Sequence, residues 1–254
     1  MSIDALIFDV DGTLADTEEA HRTAFNAAFA RHRLGWQWSP EDYRSLLDIT
    51  GGKERITHYI DGLGLRASER FWLVDLVPEL HAEKTRIYGA FVAEGGVPLR
   101  PGVEALIDEA EAAGCRLAIA STTTAANIDA LLHATLGPRG LDRFGVIVCG
   151  DQVQRKKPAP DVYRLALAQL GIEADRAIAI EDSSNGLRSA QAAGLWTVVT
   201  PNFWTAEADL SGADLLRADL KGLGFDALVH LAAPAPLPGL VNSLLRDAAQ
   251  GSRS

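Results

Sequence analysis

At 254 residues, 47% hydrophobic and 23% charged, the chain carries enough apolar material for one large domain or a core with a second module, which excludes general disorder. Its formal net charge of -10, from 34 acidic against 24 basic residues with no clustered basic run, argues against a nucleic-acid partner. A small anion gathered by a few local cations stays open.

The chain starts with MSIDALIFDVDG, whose apolar stretch is short and has no basic residues before it, so neither a signal peptide nor a membrane span is expected there. The run ALIF (5–8) reads as a buried strand that ends at Asp9. From 16 to 96 the pattern becomes helical, through HRTAFNAAFARH (21–32), PEDYRSLL (40–47), ERITHYI (54–60) and a long segment from Glu69 to Glu94. Ser39 before Pro40 and an acidic pair caps the second of these. This stretch shows no convincing strand and reads as a helical insertion.

Strand and helix then alternate: a helix over 103–114 closed by Gly114, RLAIA (116–120) before Ser121, VIVCG (146–150) before Asp151, a helix over 162–171 closed by Gly171, AIAI (177–180) before Glu181, and WTVV (196–199) before Thr200. The fold class expected is α/β, a doubly wound parallel sheet with a Rossmann-like core over 1–15 and 97–232. Residues 233–254, rich in proline and then in small polar residues, are expected to form a flexible tail. Cys115 and Cys149 each lie in an apolar run and read as buried free thiols, which fits a reducing cytoplasm. A monomer without membrane attachment is expected.

Two glycine motifs are decoys. GLGLRA (62–67) and GLGFDA (222–227) have dinucleotide-turn spacing but follow no predicted strand, and TGGKER (50–55) lacks the spacing and hydroxyl of a P-loop.

Ligands of a parallel sheet collect beyond the carboxyl ends of its strands. There the sequence puts Asp9, Asp11, Gly12 and Thr13, then Ser121, Thr122 and Thr123, then Lys157, then Glu181 and Asp182. Phosphoryl transfer needs these types, because a phosphoryl dianion repels an anionic attacker unless cations and donors surround its oxygens. Mg2+ suits the carboxylates of Asp9, Asp182 and Glu181, with the Asp11 backbone carbonyl as a further ligand. Lys157 supplies a fixed charge and Ser121 a hydroxyl. Asp9 is placed to attack as a nucleophile, and a protonated Asp11 two residues on to serve as acid and base. Each piece alone has a plain reading as a turn, a cap or a solvated loop; their order at successive strand ends favours chemistry.

DVDGT (9–13), AST (120–122), KKPAPD (156–161) and EDSSNG (181–186) resemble the four motifs of the haloacid dehalogenase superfamily of phosphatases. The resemblance implies Asp9 as nucleophile, Asp11 as acid/base, Ser121 and Lys157 as phosphate ligands, Asp182 with Glu181 at the metal, and residues 16–96 as a helical cap. Glu18 and His21, spaced i, i+3, would share a helix face near Asp11, with a surface ion-pair face as the alternative. Thr50, Gly51 and Gly52 before Lys53 and Arg55 suggest an anion site at a helix start, suited to a second phosphate. DVDGTLADTEEAHRTAF, the WQW turn with Tyr43, TGGKERI, the HAEKT segment with Lys84, and KKPAPDVYRLAL are similar to the CbbY-type phosphatases of xylulose 1,5-bisphosphate. The partner expected is a small-molecule sugar phosphate. A β-phosphoglucomutase-like mutase, a metal-independent dehalogenase and a non-catalytic sugar-phosphate-binding module stay open as alternatives.

Overall fold

Residues Ala5–Phe8 form strand β1, and its four side chains alternate between two buried layers, Leu6 and Phe8 on one face of the sheet, Ala5 and Ile7 on the other. The same division recurs in β2 (Arg116–Ala120) and β4 (Ala177–Glu181), where leucine and isoleucine fill the first layer and alanines the second. The alanine face leaves room for a bulky neighbour, and the helix Asp161–Leu170 packs Val162, Tyr163, Ala166 and Leu167 against it. With β3 (Val146–Val148), β5 (Trp196–Val199) and β6 (Leu215–Leu216), the strands form one six-stranded sheet in the order β3-β2-β1-β4-β5-β6. All of its pairings are parallel. The computed structural model describes residues 3–233, so the tail expected over 233–254 lies outside the described residues beyond its first position.

This order is doubly wound. The chain steps outward from β1 to β2 and β3, then returns to lay β4 along the other side of β1. Loops leaving β1 and β4 diverge there and open the crevice where α/β sheets place ligands.

Two strand expectations need correction. VIVCG leaves the ladder after Val148, because Gly150 turns in against the loop that follows β2. Its N–H donates to the Thr123 carbonyl at 2.9 Å, and a Cβ there would lie 2.2 Å from the Thr122 carbonyl. Strand β6 was not expected, since two half-buried leucines carry no periodic signal.

Helices α1 (Glu18–Arg31), α2 (Pro40–Leu46), α3 (Gly52–Gly62) and α4 (Ala67–Ala93) fall between β1 and the helix α5 (Val103–Ala112). They enclose a separate aromatic core in which Trp38 meets Phe25 at 4.9 Å, Phe29 at 4.8 Å and Tyr59 at 5.4 Å. The turn carrying Trp38 is pinned to α1 by reciprocal bonds with the Asn26 side chain, 2.8 and 2.9 Å. Both α1 and α4 also reach the sheet: Ala20, Ala24, Tyr88 and Val92 belong to its buried layer, while Phe25, Phe29, Leu73 and Leu80 belong to the aromatic core. Helices α6 (Ala125–Leu136), α7 (Asp161–Leu170), α8 (Ser184–Ala192) and α9 (Phe225–Ala232) complete the layers. Among the described residues no helix is long and apolar enough to cross a membrane.

The Ser39 hydroxyl accepts the Asp42 N–H at 3.1 Å and the Asp42 carboxylate accepts the Ser39 N–H at 3.1 Å, a reciprocal cap that starts α2. Ser39→Ala is expected to lower stability by about 1 kcal/mol, read as a shift of the urea midpoint at unchanged slope.

Candidate active site

The chain leaves β1 at Asp9, whose N–H still follows the ladder to the Ile180 carbonyl at 3.0 Å, and turns at Gly12 with φ of +80°. A side chain at Gly12 has no room, since its Cβ would lie 2.3 Å from Asp182 Oδ2. Glu181 closes β4 and Asp182 follows it. One carboxylate oxygen from each of Asp9, Glu181 and Asp182 comes within 4.8 Å of the others, and all three residues are buried.

Lys157, also buried, donates from Nζ to Asp9 Oδ1 at 2.6 Å and to Glu181 Oε1 at 2.7 Å. Tyr163 OH donates to the same Glu181 oxygen. Asn202 Nδ2 holds Asp182 Oδ2 at 2.8 Å. Burial pushes the Asp9 carboxyl up to about 7; Lys157 opposes the rise, while Glu181 and Asp11 add to it. Burial, then the charges of Asp9 and Glu181, push Asp182 well above the carboxylate range. Burial works against the charge on Lys157, yet Asp9 and Glu181 overrule it and raise its pKa.

An all-oxygen, buried and undercompensated carboxylate group is the donor set a hard divalent cation fits. Lys157 and Tyr163 already engage Glu181, so Asp9 and Asp182 are the better placed ligands. The Asp11 side chain lies outside this group.

Asp11 instead faces α1. Its Oδ1 accepts the Thr17 hydroxyl at 2.6 Å and lies 2.8 Å from His21 Nε2, while His21 Nδ1 lies 2.6 Å from Lys84 Nζ on α4. Burial opposes charge on Asp11, but His21 and the Thr17 hydroxyl outweigh it and hold the carboxyl well below its usual range. The protonated Asp11 of the sequence reading is therefore corrected: these partners favour the ionised carboxylate. Burial brings the Lys84 ammonium down to about 7, against the pull of Asp11.

The remaining candidates divide. Glu18, Gly51, Gly52, Lys53, Ser121, Thr122 and Thr123 line the same cleft of about 360 Å³ as Asp9, Asp11 and Asp182. Gly51 and Gly52 begin α3, with φ of +98° at Gly51, and Lys53 reaches across to Asp151 at 3.3 Å. Tyr43 differs from expectation: it is fully buried and donates to Glu18 at 2.7 Å, so its role is to hold a cleft residue. Arg55 does line the cleft, but it is buried and donates to the Tyr43 hydroxyl at 2.9 Å and the Leu46 carbonyl at 3.1 Å, so Lys53 is the exposed cation of that motif.

Several contributing residues escaped the sequence reading. Arg100, buried, clamps the loops after β1 and β5 by donating to the carbonyls of Gly12 and Thr200 at 2.6 Å each. Thr17, Tyr163 and Asn202 bind active-site carboxylates, and Asn185 bridges from α8 to the Asp48 carbonyl at 3.0 Å and Thr50 at 3.2 Å. Tyr163 sat inside the KKPAPDVY run, but a tyrosine at helical spacing carries no signal that its hydroxyl reaches a carboxylate.

A family model described as haloacid dehalogenase-like hydrolase matches residues 3–194. Protein CbbY of Rhodobacter capsulatus is 51% identical over 231 residues, 91% of this chain and 100% of that protein. The plasmid-borne CbbY of Cupriavidus necator is 50% identical over 235 residues, 92% of this chain and 88% of that one. The crystal structure of CbbY from Rhodobacter sphaeroides in complex with phosphate superposes with a TM-score of 0.82 at 45% identity, covering 89% of this chain and 99% of that one. An aspartate-to-asparagine mutant of that protein, in complex with xylulose-(1,5)bisphosphate, matches with the same values.

Raised carboxyls bind protons in the fold that the unfolded chain has already lost, so between pH about 4 and 7 the contribution of Asp9 and Asp182 to the stability of the metal-free protein falls as pH rises, against an opposite contribution from His81, whose pKa is lowered to about 4 by burial. Asp9→Asn is expected to flatten that slope. Thermal unfolding in chelator across this window measures it, and a slope equal to wild type would show that Asp9 does not carry the proton.

Proposed function

Because the chain belongs to the haloacid dehalogenase-like hydrolases and is a phosphatase of that family, we propose that it hydrolyses a sugar bisphosphate through an aspartyl-phosphate on Asp9, with Mg2+ held by Asp9 and Asp182 and supported by Glu181. The observation that carries this reading is the meeting of Asp9 and Asp182, from separate strand ends, in one buried cluster with Lys157 beside them. Mg2+ bound there would offset the charge of the phosphoryl oxygens.

In the first step Asp9 attacks phosphorus, an acyl-phosphate bond forms, and the bond from phosphorus to the sugar oxygen breaks. The leaving oxygen takes a proton from Asp11. That proton reaches Asp11 by a relay from the cap side: His21 passes its Nε2 proton to Asp11 as Lys84 passes one from Nζ to His21 Nδ1. In the second step Asp11 takes a proton from water as the water oxygen attacks phosphorus and the bond from phosphorus to the Asp9 oxygen breaks, which frees phosphate and restores Asp9, and the proton returns through His21 to Lys84. Lys157 and the β2-end donors Ser121 and Thr122 hold the transferring group.

The second phosphate of a bisphosphate finds its partners at the opposite wall. The N–H groups at the start of α3 and the Lys53 ammonium line the cleft there, and Lys53 would exchange the exposed Asp151 for phosphate. The xylulose bisphosphate in the related Rhodobacter sphaeroides structure supports a substrate of this kind.

Phosphate release over a panel of sugar mono- and bisphosphates, with and without Mg2+, tests the reading. Asp9→Asn is expected to abolish turnover on every substrate. Lys53→Ala is expected to lower kcat/KM about tenfold or more for bisphosphates and to leave monophosphates near wild type. Equal losses on both classes would remove the second-phosphate site, and a transferred rather than released phosphoryl group would favour a mutase.

A further inference from the structure

We propose that the loop Asn202–Glu207 after β5 is a latch that couples seating of the cap helix α2 to the orientation of Asp182, with Asn202 and Trp204 as its positioning residues. The inference rests on the reading of Asp182 as a cation ligand. It adds that cap seating and cation binding strengthen each other.

The Asn202 side chain uses both ends of its amide. Nδ2 donates to Asp182 Oδ2 at 2.8 Å and to the Gly12 carbonyl at 3.3 Å, while Oδ1 accepts the N–H groups of Trp204 at 2.8 Å and Thr205 at 3.3 Å. Its own N–H donates to the Thr205 hydroxyl at 3.0 Å. One side chain thus fixes the carboxylate and the turn together, so neither can shift without straining the other.

The outer side of this turn meets the cap. The Trp204 ring stands edge-on to Tyr43 of α2, centroids 5.5 Å apart at 86°. Arg44, the next residue of α2, lies 4.7 Å over the Phe203 ring, donates to the Phe203 carbonyl at 3.2 Å and pairs with Glu207 at 3.2 Å. Phe203 is 69% exposed even with Arg44 above it. The half-buried Trp204 packs edge-on to Phe203, 5.3 Å apart, and beyond that contact the aromatic and cationic partners of the two rings are on the cap. Tyr43 in turn holds Glu18 in the cleft. Lifting α2 would strip Trp204 and Phe203 of these partners and free the turn that orients Asp182. Linkage then requires the reverse, that a cation fixing Asp182 favours the seated cap.

Mn2+ binding to the full-length metal-free protein, read from the electron paramagnetic signal of the free ion, tests this beside hydrogen exchange of α2 with and without Mn2+. Wild type is expected to bind, with slower α2 exchange when Mn2+ is present, and Asp182→Asn to lose binding. Asn202→Ala should weaken Mn2+ about 10- to 100-fold. Trp204→Ala, which touches no carboxylate, should weaken it about fivefold or more and uncouple α2 exchange from Mn2+, with Trp204→Phe restoring most of both. Circular dichroism identifies any variant that fails to fold, and Trp204→Phe carries the test in that event through its retained coupling. Loss of affinity in Asn202→Ala alone, or wild-type binding in Trp204→Ala, would overturn the latch while leaving the metal reading intact. Equal binding by wild type and Asp182→Asn would overturn both.

Discussion

Three buried carboxylates share one ammonium at the crossing point of the sheet, and much of the surrounding structure can be read as a response to that imbalance. Asp9, Glu181 and Asp182 are buried together, and Lys157 answers only part of the charge they would carry when all are ionised. Burying such a group costs several kcal/mol for each uncompensated ion, which a fold keeps only where something else repays it. Tyr163, Asn202 and the absent side chain at Gly12 supply the fixed donors and the room. A cation would supply the missing charge, and on the proposed reading the phosphoryl group then meets Asp9 already neutralised.

The second feature is that the site is shared between two layers of the molecule. Asp11 comes from the sheet, but the residues that hold its charge, His21 and Lys84, come from α1 and α4. Asn185 and Lys53 make further crossings, to Asp48 and from α3 to Asp151. Helices α1 and α4 belong at once to the aromatic core and to the buried layer of the sheet, so the insertion is both tethered and separately packed.

Much of this was legible from residues alone. Near-continuous apolar runs mark five of the strands because a sheet covered on both faces needs no alternation, and strand-end position alone groups Asp9, Ser121, Lys157 and Asp182, which line one cleft. What escaped has physical causes. Arg100 and Asn202 act through bonds to backbone carbonyls and one carboxylate across some 100 and 20 residues of sequence, and no local pattern announces such contacts. Tyr43 was expected at the ligand from the resemblance, yet it is buried and holds Glu18, while Arg55, which lines the cleft, donates to the Tyr43 hydroxyl as well. Spacing put His21 near Asp11, but the ionisation of Asp11 depends on His21, the Thr17 hydroxyl and, from α4, Lys84 together, a sum that spacing cannot give.

The claim on which the account turns is covalent: Asp9 itself carries the phosphoryl group between substrate and water. Rapid acid quench during turnover of a sugar bisphosphate with Mg2+, followed by peptide mass spectrometry, measures it directly. The account predicts a phosphorylated peptide containing Asp9 that appears within the first turnover and decays as phosphate is released. Phosphate release at the full rate with no modified Asp9 peptide at any quench time would contradict it.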